Sequence, residues 1–249
     1  MAEEKIKKSL LAADDSDDEY SRGDTVSDQT ELSSILDKLS LEPKTEKKKL
    51  LVLSLSGLLL HRVHKKELRK KPKNRSPDAS CGPNLVYKRP FAEEFMKFCL
   101  ERFEVGIWSS ACELVSSLNI LIVTGPRECT DSGYKTLENR YKPLFFKDLS
   151  KVFKCFKGFS ASNTIFIDDE PYKALRNPDN TGLFPMSYDA SNIKDNLLDP
   201  EGELCSYLEG LAKSSDVQAY IKVHSFGRPM IDSSHPDWSF YSNVSKIVS

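Results

Sequence analysis

The sequence has no excess of charge of either sign. Its 249 residues carry 36 Lys and Arg against 37 Asp and Glu, a formal net charge of −1, so no global pull toward nucleic acid or an anionic membrane is expected. Its six cysteines form no Cys-x-x-Cys pair and no zinc-ligand spacing. That argues against a disulfide framework and a metal cluster, and for a reducing compartment. No stretch approaches the roughly 18 consecutive apolar residues that mark a membrane span. The N-terminus shows neither the apolar core of a secretory signal nor an arginine-rich amphipathic pattern, and it turns acidic from Asp14. A nuclear or cytoplasmic location is the expectation, with mitochondria disfavoured. Internal repeats and a low-complexity core are also missing, and the length suffices for one or two domains with a sizeable interior.

What is present divides into three parts. Residues 1–48 are polar, charge-rich and poor in aromatics, which predicts a disordered acidic tail. Within it Ser16 stands among Asp14, Asp15, Asp17, Asp18 and Glu19. This is either a target for an acid-directed kinase, where phosphorylation deepens the negative patch, or a plain solvated tail. Leu32, Ile35, Leu36 and Leu39 fall at helical spacing within residues 32–41. A folded domain is expected over residues 49–212, and a C-terminal helical extension and tail over 213–249.

The domain is organised around residues 49–61. A dense apolar run from Leu50 to Leu53 breaks at Gly57, which predicts a buried strand ending in a sharp turn. Ser54 and Ser56 interrupt the run at period two and so share a face. Polar groups at the carboxyl end of a central strand mark ligand sites in open α/β sheets. Residues 64–77 are basic and Pro-containing and read as a loop: a nuclear-import signal, a phosphate-attracting rim, or a solvated excursion. Pro90 opens a helix through Phe103, with Glu93 and Glu94 in its first turn and Phe91, Phe95, Phe98 and Phe103 as its apolar stripe. Residues 105–110 form a second strand ending in hydroxyls, and strand–helix–strand order implies a right-handed crossover in a parallel sheet. Leu118 to Val123 reads as a strand or a helix end, and residues 128–133 as a polar turn. Lys147 and Asp148 open a helix carrying Leu149, Val152, Phe153 and Phe156. Residues 164–169 are a buried strand ending in Asp168 and Asp169 and stopped by Glu170-Pro171. A turn over residues 177–182 precedes a short strand at 183–185. Asp199-Pro200 caps a helix with Leu204, Leu208 and Leu211 on one face, and Val217, Tyr220 and Ile221 resume the helical pattern.

Three strand ends thus carry polar groups in order: Ser54 with Ser56, Ser109, and Asp168 with Asp169, with Lys147 ahead of the last. This order resembles the haloacid-dehalogenase-like (HAD-like) phosphohydrolases, and more closely the FCP-type (NLI-interacting-factor) phosphatases that act on the RNA polymerase II C-terminal domain. The matching text is Leu51-Val52-Leu53 through Gly57 to Leu60-His61, Lys88-Arg89-Pro90, Trp108-Ser109-Ser110, Lys147-Asp148-Leu149 and Phe166-Ile167-Asp168-Asp169-Glu170-Pro171. It covers residues 49–210. The C-terminal segment through Trp238 and Tyr241 is similar to uncharacterised plant proteins with this domain.

The resemblance implies an α/β, HAD-like (Rossmann-like) parallel sheet flanked by helices. It also implies a site in which a carboxylate nucleophile and a second carboxylate two residues on, acting as acid and base, work with Mg2+, a hydroxyl and a lysine. On these residues the family's Asp-x-Asp-Gly-Thr is Ser54-Leu55-Ser56-Gly57-Leu58, so the catalytic positions Ser54, Ser56 and Leu58 are degenerate. Ser109 and Lys147 remain as phosphate-binding positions. Asp168 and Asp169 remain as metal positions that hold Mg2+ weakly or not at all. His61 reads as structural. A serine needs an adjacent base to attack, and none is assigned.

The leading expectation is therefore a pseudophosphatase that binds a protein or phosphopeptide partner, with no direct nucleic-acid contact. Two alternatives stay open. One is an active Mg2+-dependent serine/threonine phosphatase; the other is a non-enzymatic relative of the mitochondrial inner-membrane import translocase receptor. The stretch from Ser110 to Cys129 is shorter than the resemblance implies, so an element is expected to be missing or merged there.

Overall fold

Strand β1 (Leu50–Ser54) is buried along its whole length, and its side chains separate two apolar layers. Leu51 and Leu53 join one core cluster with Phe95, Phe103, Leu204 and Leu208, whereas Leu50 and Val52 face a second with Trp108, Leu149, Val152 and Phe166. Period-two alternation sends neighbouring residues to opposite faces. A strand covered on both faces therefore reads as a continuous apolar run. Burying each Leu contributes about 1.5–3 kcal/mol.

The computed structural model describes residues 48–109, 122–124 and 129–247. The expected acidic tail, the Ser16 run, the 32–41 segment and most of the short stretch after Ser109 lie outside the described residues. The described residues form one compact unit.

The main sheet has the order β10-β9-β1-β5-β6, with β5 at Glu104–Trp108, β6 at Ile122–Thr124, β9 at Thr164–Ile167 and β10 at Gly182–Leu183. Every pairing in it is parallel, which is the α/β sheet the sequence predicts. The chain leaves β1 toward β5 on one side and later returns to β9 on the other. The carboxyl end of β1 is therefore a topological switch point, where open α/β sheets form their crevice. Helices α1 (Ala92–Arg102) and α3 (Glu203–Lys213) cover one face, and α2 (Leu149–Cys155) covers the other. Helix α4 (Val217–Val223) follows α3, with Val217 in the same core. Asp148 caps α2 by accepting from the Ser150 amide at 2.9 Å. The cap of α3 is Gly202, so Asp199-Pro200 forms a preceding turn, with the Gly202 amide donating to the Asp199 carbonyl at 2.9 Å.

Several local expectations are corrected. Residues 60–64 form β2 (Leu60–His64), which pairs with β4 (Asn84–Lys88) and through it with β3 (Ala79–Cys81) in a separate antiparallel sheet. The basic loop is thus the β2–β3 connection, with a 3-10 turn at Leu68–Lys70. Phe91 does not belong to the helix stripe: it adopts φ 62° ahead of α1 and stays exposed, while Phe95, Met96 and Cys99 form the buried face. Within residues 128–133, the expected polar turn is occupied from Thr130 by strand β7 (Thr130–Lys135), hairpin partner of β8 (Pro143–Phe146). Its outward positions are polar and Gly133 has φ 75°, so composition alone imitates a turn. Leu144 and Phe146 of β8 pack with Tyr241 and Val244 of α5 (Trp238–Ile247).

Candidate functional site

Parallel register brings three strand ends to one level. Ser54 pairs with Trp108 across β1 and β5, and Leu53 with Ile167 across β1 and β9, so Asp168 emerges beside Ser54. Lys147, at the junction of β8 and α2, reaches beneath them. Its buried ammonium donates to Ser54 Oγ at 2.8 Å, to Asp168 Oδ2 at 2.7 Å and to the Trp108 carbonyl at 3.3 Å. One side chain therefore ties together β1, β5 and β9.

Asp168 is fully buried, and both of its oxygens are engaged. Oδ1 accepts from Lys173 Nζ at 2.8 Å and from the Glu170 amide at 2.9 Å. Burial pushes against ionisation of Asp168, but Lys147 and Lys173 outweigh it and hold the carboxyl well below the usual range. Burial pushes the Lys147 ammonium down, against the pull of Asp168. Asp169 differs from its neighbour: burial, aided by the Asp168 charge and opposed by Lys173, pushes its carboxyl up to about 6. The Asp169 carboxylate lies against Gly57, which has φ +84°; a Cβ there would sit 2.0 Å from Asp169 Oδ2. Both the left-handed backbone and the close approach require glycine at this turn. Arg228 donates to the Asp169 carbonyl.

Above this floor opens a cleft of about 530 Å³ whose lining includes Ser54, Ser56, Gly57, His61, Lys147, Asp169 and Lys173. Arg62, Lys70 and Lys142 add cationic rim groups, against Asp169 and Glu170 as the acidic ones. The balance favours an anionic ligand. Ser54 Oγ, which accepts from Lys147, donates to the Ser56 carbonyl at 3.2 Å. Ser56 Oγ is buried and has no hydrogen-bond partner among the described residues. His61 Nδ1 lies 3.2 Å from the Tyr188 carbonyl. Ser109 is buried directly after β5, where Trp108 rather than Ser109 lines the cleft. Leu58 lies in the main hydrophobic core, away from the cleft. Asp168 sits below the floor and does not line it.

Sequence reasoning missed Lys173 and Glu170. Lys173 belongs to a 3-10 segment, Pro171–Ala174, which folds it back so that Nζ also lies 3.4 Å from Asp169 Oδ1 and 3.2 Å from Glu170 Oε2. The available signal was a lysine four residues after paired carboxylates, read there as the exit of a strand.

The resemblance implies Mg2+, but the residues present fit it poorly. Mg2+ asks for a near-octahedral set of oxygens with one or two carboxylates available. Asp168 is committed to two lysines, and Glu170 to Lys142, Tyr172 and Lys173. Asp169 alone remains, within reach of an ammonium. Among the described residues no group of three His, Cys, Asp or Glu side chains is placed to hold a metal ion.

Sheet topology and cleft together define the class: a parallel α/β domain with a cation-rich cleft at the carboxyl end of its central strand. The sequence profile of the NLI interacting factor-like phosphatases matches residues 49–218. The chain belongs to that family, which bears out the FCP-type (NLI-interacting-factor) resemblance. Among solved structures it is similar to Fcp1, described as an essential RNA polymerase II CTD phosphatase, with 16% identity and a TM-score of 0.38 over 86% of this chain and 64% of that one. A fission yeast Fcp1 variant bound to beryllium fluoride gives the same identity and TM-score, over 86% of this chain and 65% of that one. The chain thus spans less than two thirds of these relatives. No curated protein matches it.

Proposed function

We propose that the domain is a catalytically silent member of its family that binds phosphorylated or acidic peptide segments of a partner protein. The carrying observation is the state of Ser54. It stands where the family resemblance calls for a nucleophilic carboxylate, and its oxygen faces the Lys147 ammonium at 2.8 Å, itself anchored on Asp168 at 2.7 Å. A hydroxyl beside a charged donor has no base to activate it. Loss of a nucleophile costs about 10⁴- to 10⁶-fold in turnover, judged from protease knockouts. The cations of the cleft keep their use in attracting and holding an anion. The partner is a protein rather than a nucleic acid, and the location nuclear or cytoplasmic. No helix among the described residues is long and apolar enough to cross a membrane.

The test is a phosphoserine peptide titrated into the full chain by calorimetry, with phosphate release followed in parallel. Binding that Lys147→Met abolishes, without phosphate release, is the expected result; no affinity for phosphorylated or acidic peptides would end the proposal. A second reading, an active phosphatase, draws on the same Ser54–Lys147 contact, because burial lowers the lysine toward a neutral base. Asp168 opposes it by stabilising the ammonium. Phosphate release from an aryl phosphate that disappears in Ser54→Ala would establish that reading.

A further inference from the structure

Three consecutive carboxylates converge on one ammonium. Lys173 Nζ lies 2.8 Å from Asp168 Oδ1, 3.4 Å from Asp169 Oδ1 and 3.2 Å from Glu170 Oε2. The convergence is built by the backbone. β9 ends at Ile167 and the chain turns at Pro171 into the 3-10 segment. The Lys147 amide donates to the Lys173 carbonyl at 2.8 Å and holds that segment in place. The Lys173 side chain is 17% exposed, and it lines the cleft beside Asp169.

We infer that Lys173 is the resident cation of this carboxylate cluster, so that the three carboxylates are balanced without a divalent metal. The charges support this. Asp168, Asp169 and Glu170 face Lys147, Lys173 and Lys142, three negative groups against three positive ones. A dication added to this set would create an excess of positive charge next to two ammonium groups in a poorly solvated site, where repulsion is strongest. The Lys173 ammonium faces the cleft and is available to an anionic ligand, so a lysine takes over the charge-bridging role that a metal plays between carboxylate and phosphate.

The inference does not depend on the phosphopeptide reading, because its test needs no phosphorylated ligand. Full-length protein is titrated with Mn2+ by electron paramagnetic resonance, and its melting temperature is recorded with and without excess Mg2+. The native chain is expected to leave the Mn2+ signal unchanged and to melt at the same temperature in both conditions. Lys173→Met, which vacates the position and leaves the carboxylates short of a counter-ion, is expected to bind Mn2+ and to gain melting temperature with Mg2+. Lys173→Arg is expected to behave as native. Mn2+ binding by the native chain that is lost in Asp169→Asn overturns the inference, as does a folded Lys173→Met with no response to either metal. If Lys173→Met folds only with Mg2+, the inference stands. If it does not fold at all, the native titration decides: no Mn2+ bound supports the resident lysine, and Mn2+ bound refutes it.

Discussion

Strands β1 and β9 are neighbours in one parallel sheet, equally buried, and their ends differ in kind. β1 ends in hydroxyls, Ser54 and Ser56, which carry no charge. β9 runs into Asp168, Asp169 and Glu170, each within ion-pair reach of a lysine. Lys147 joins the two ends through one contact to Ser54 and one to Asp168. The difference separates architecture from chemistry. The β9 end is a buried electrostatic knot, whereas the β1 end is a pair of small uncharged side chains. The frame around Lys147 is thus built with no charged side chain at the β1 end.

The comparison breaks most sharply at Asp168. Asp168→Ala leaves Lys147 and Lys173 facing each other without their shared carboxylate. Removing one member of a buried ion pair costs about 3–5 kcal/mol, so the variant is expected to unfold at much lower denaturant or to be recovered unfolded. Equal urea midpoints for native and variant would show that the knot is not structural.

Gly57→Ala comes next, because it strikes the point where the two ends touch. The left-handed backbone alone costs about 1–2 kcal/mol for a residue with a side chain, and the new Cβ would overlap the Asp169 carboxylate. A loss exceeding the backbone figure is expected by urea unfolding, and Asp169→Gly in the same background is expected to recover the excess. Failure of that rescue would mean that the close approach to Asp169 is not what makes glycine necessary.

Ser54→Ala tests the tolerant end. It removes the hydrogen bond from Lys147, which keeps Asp168 and the Trp108 carbonyl as partners, and the one to the Ser56 carbonyl. The expected loss is about 0.5–1.5 kcal/mol for each bond, still below that for Asp168→Ala. A larger loss would make Ser54 part of the knot and erase the contrast.

How much of this was legible in the sequence follows from the same contrast. The unbroken apolar run of β1 and that of β9 predicted buried parallel strands, because a strand covered on both faces has no polar side to confuse the pattern. Helix α3 was legible from Leu204, Leu208 and Leu211, which share one face. The strands β2, β3, β4 and β7 were not, since their exposed sides carry residues such as Arg62, Ser80, Lys88 and Asp131 that read as loop. Lys147, Asp168 and Asp169 were visible as candidates through their order along the chain. The division of labour between the two aspartates was not, because it depends on Lys173 folding back through a 3-10 turn. Leu58, aligned with a motif position, proves to be a core residue: its side chain points away from the cleft because the Gly57 turn ends the strand alternation.

The effect of pH is the one most specific to a single end. Burial raises the Asp169 carboxyl from 3.8 to about 6. Between those values the folded chain holds a proton that the unfolded chain releases, so stability from this group falls as pH rises from about 4 through 6 and is level above. The whole change is at most about 3 kcal/mol. Asp168 works with the opposite sign. Its depressed carboxyl contributes stability above the unfolded value, and that contribution is lost only as pH falls well below 4. In urea unfolding against pH, the native chain is therefore expected to weaken from pH 4 to 7 relative to Asp169→Asn, which lacks the titrating group. Ser54→Ala is expected to run parallel to native across the same range, since nothing at the β1 end changes charge there. Parallel curves for native and Asp169→Asn would mean that Lys173 holds Asp169 ionised as firmly as Asp168, and the two aspartates would then be equivalent members of one cluster.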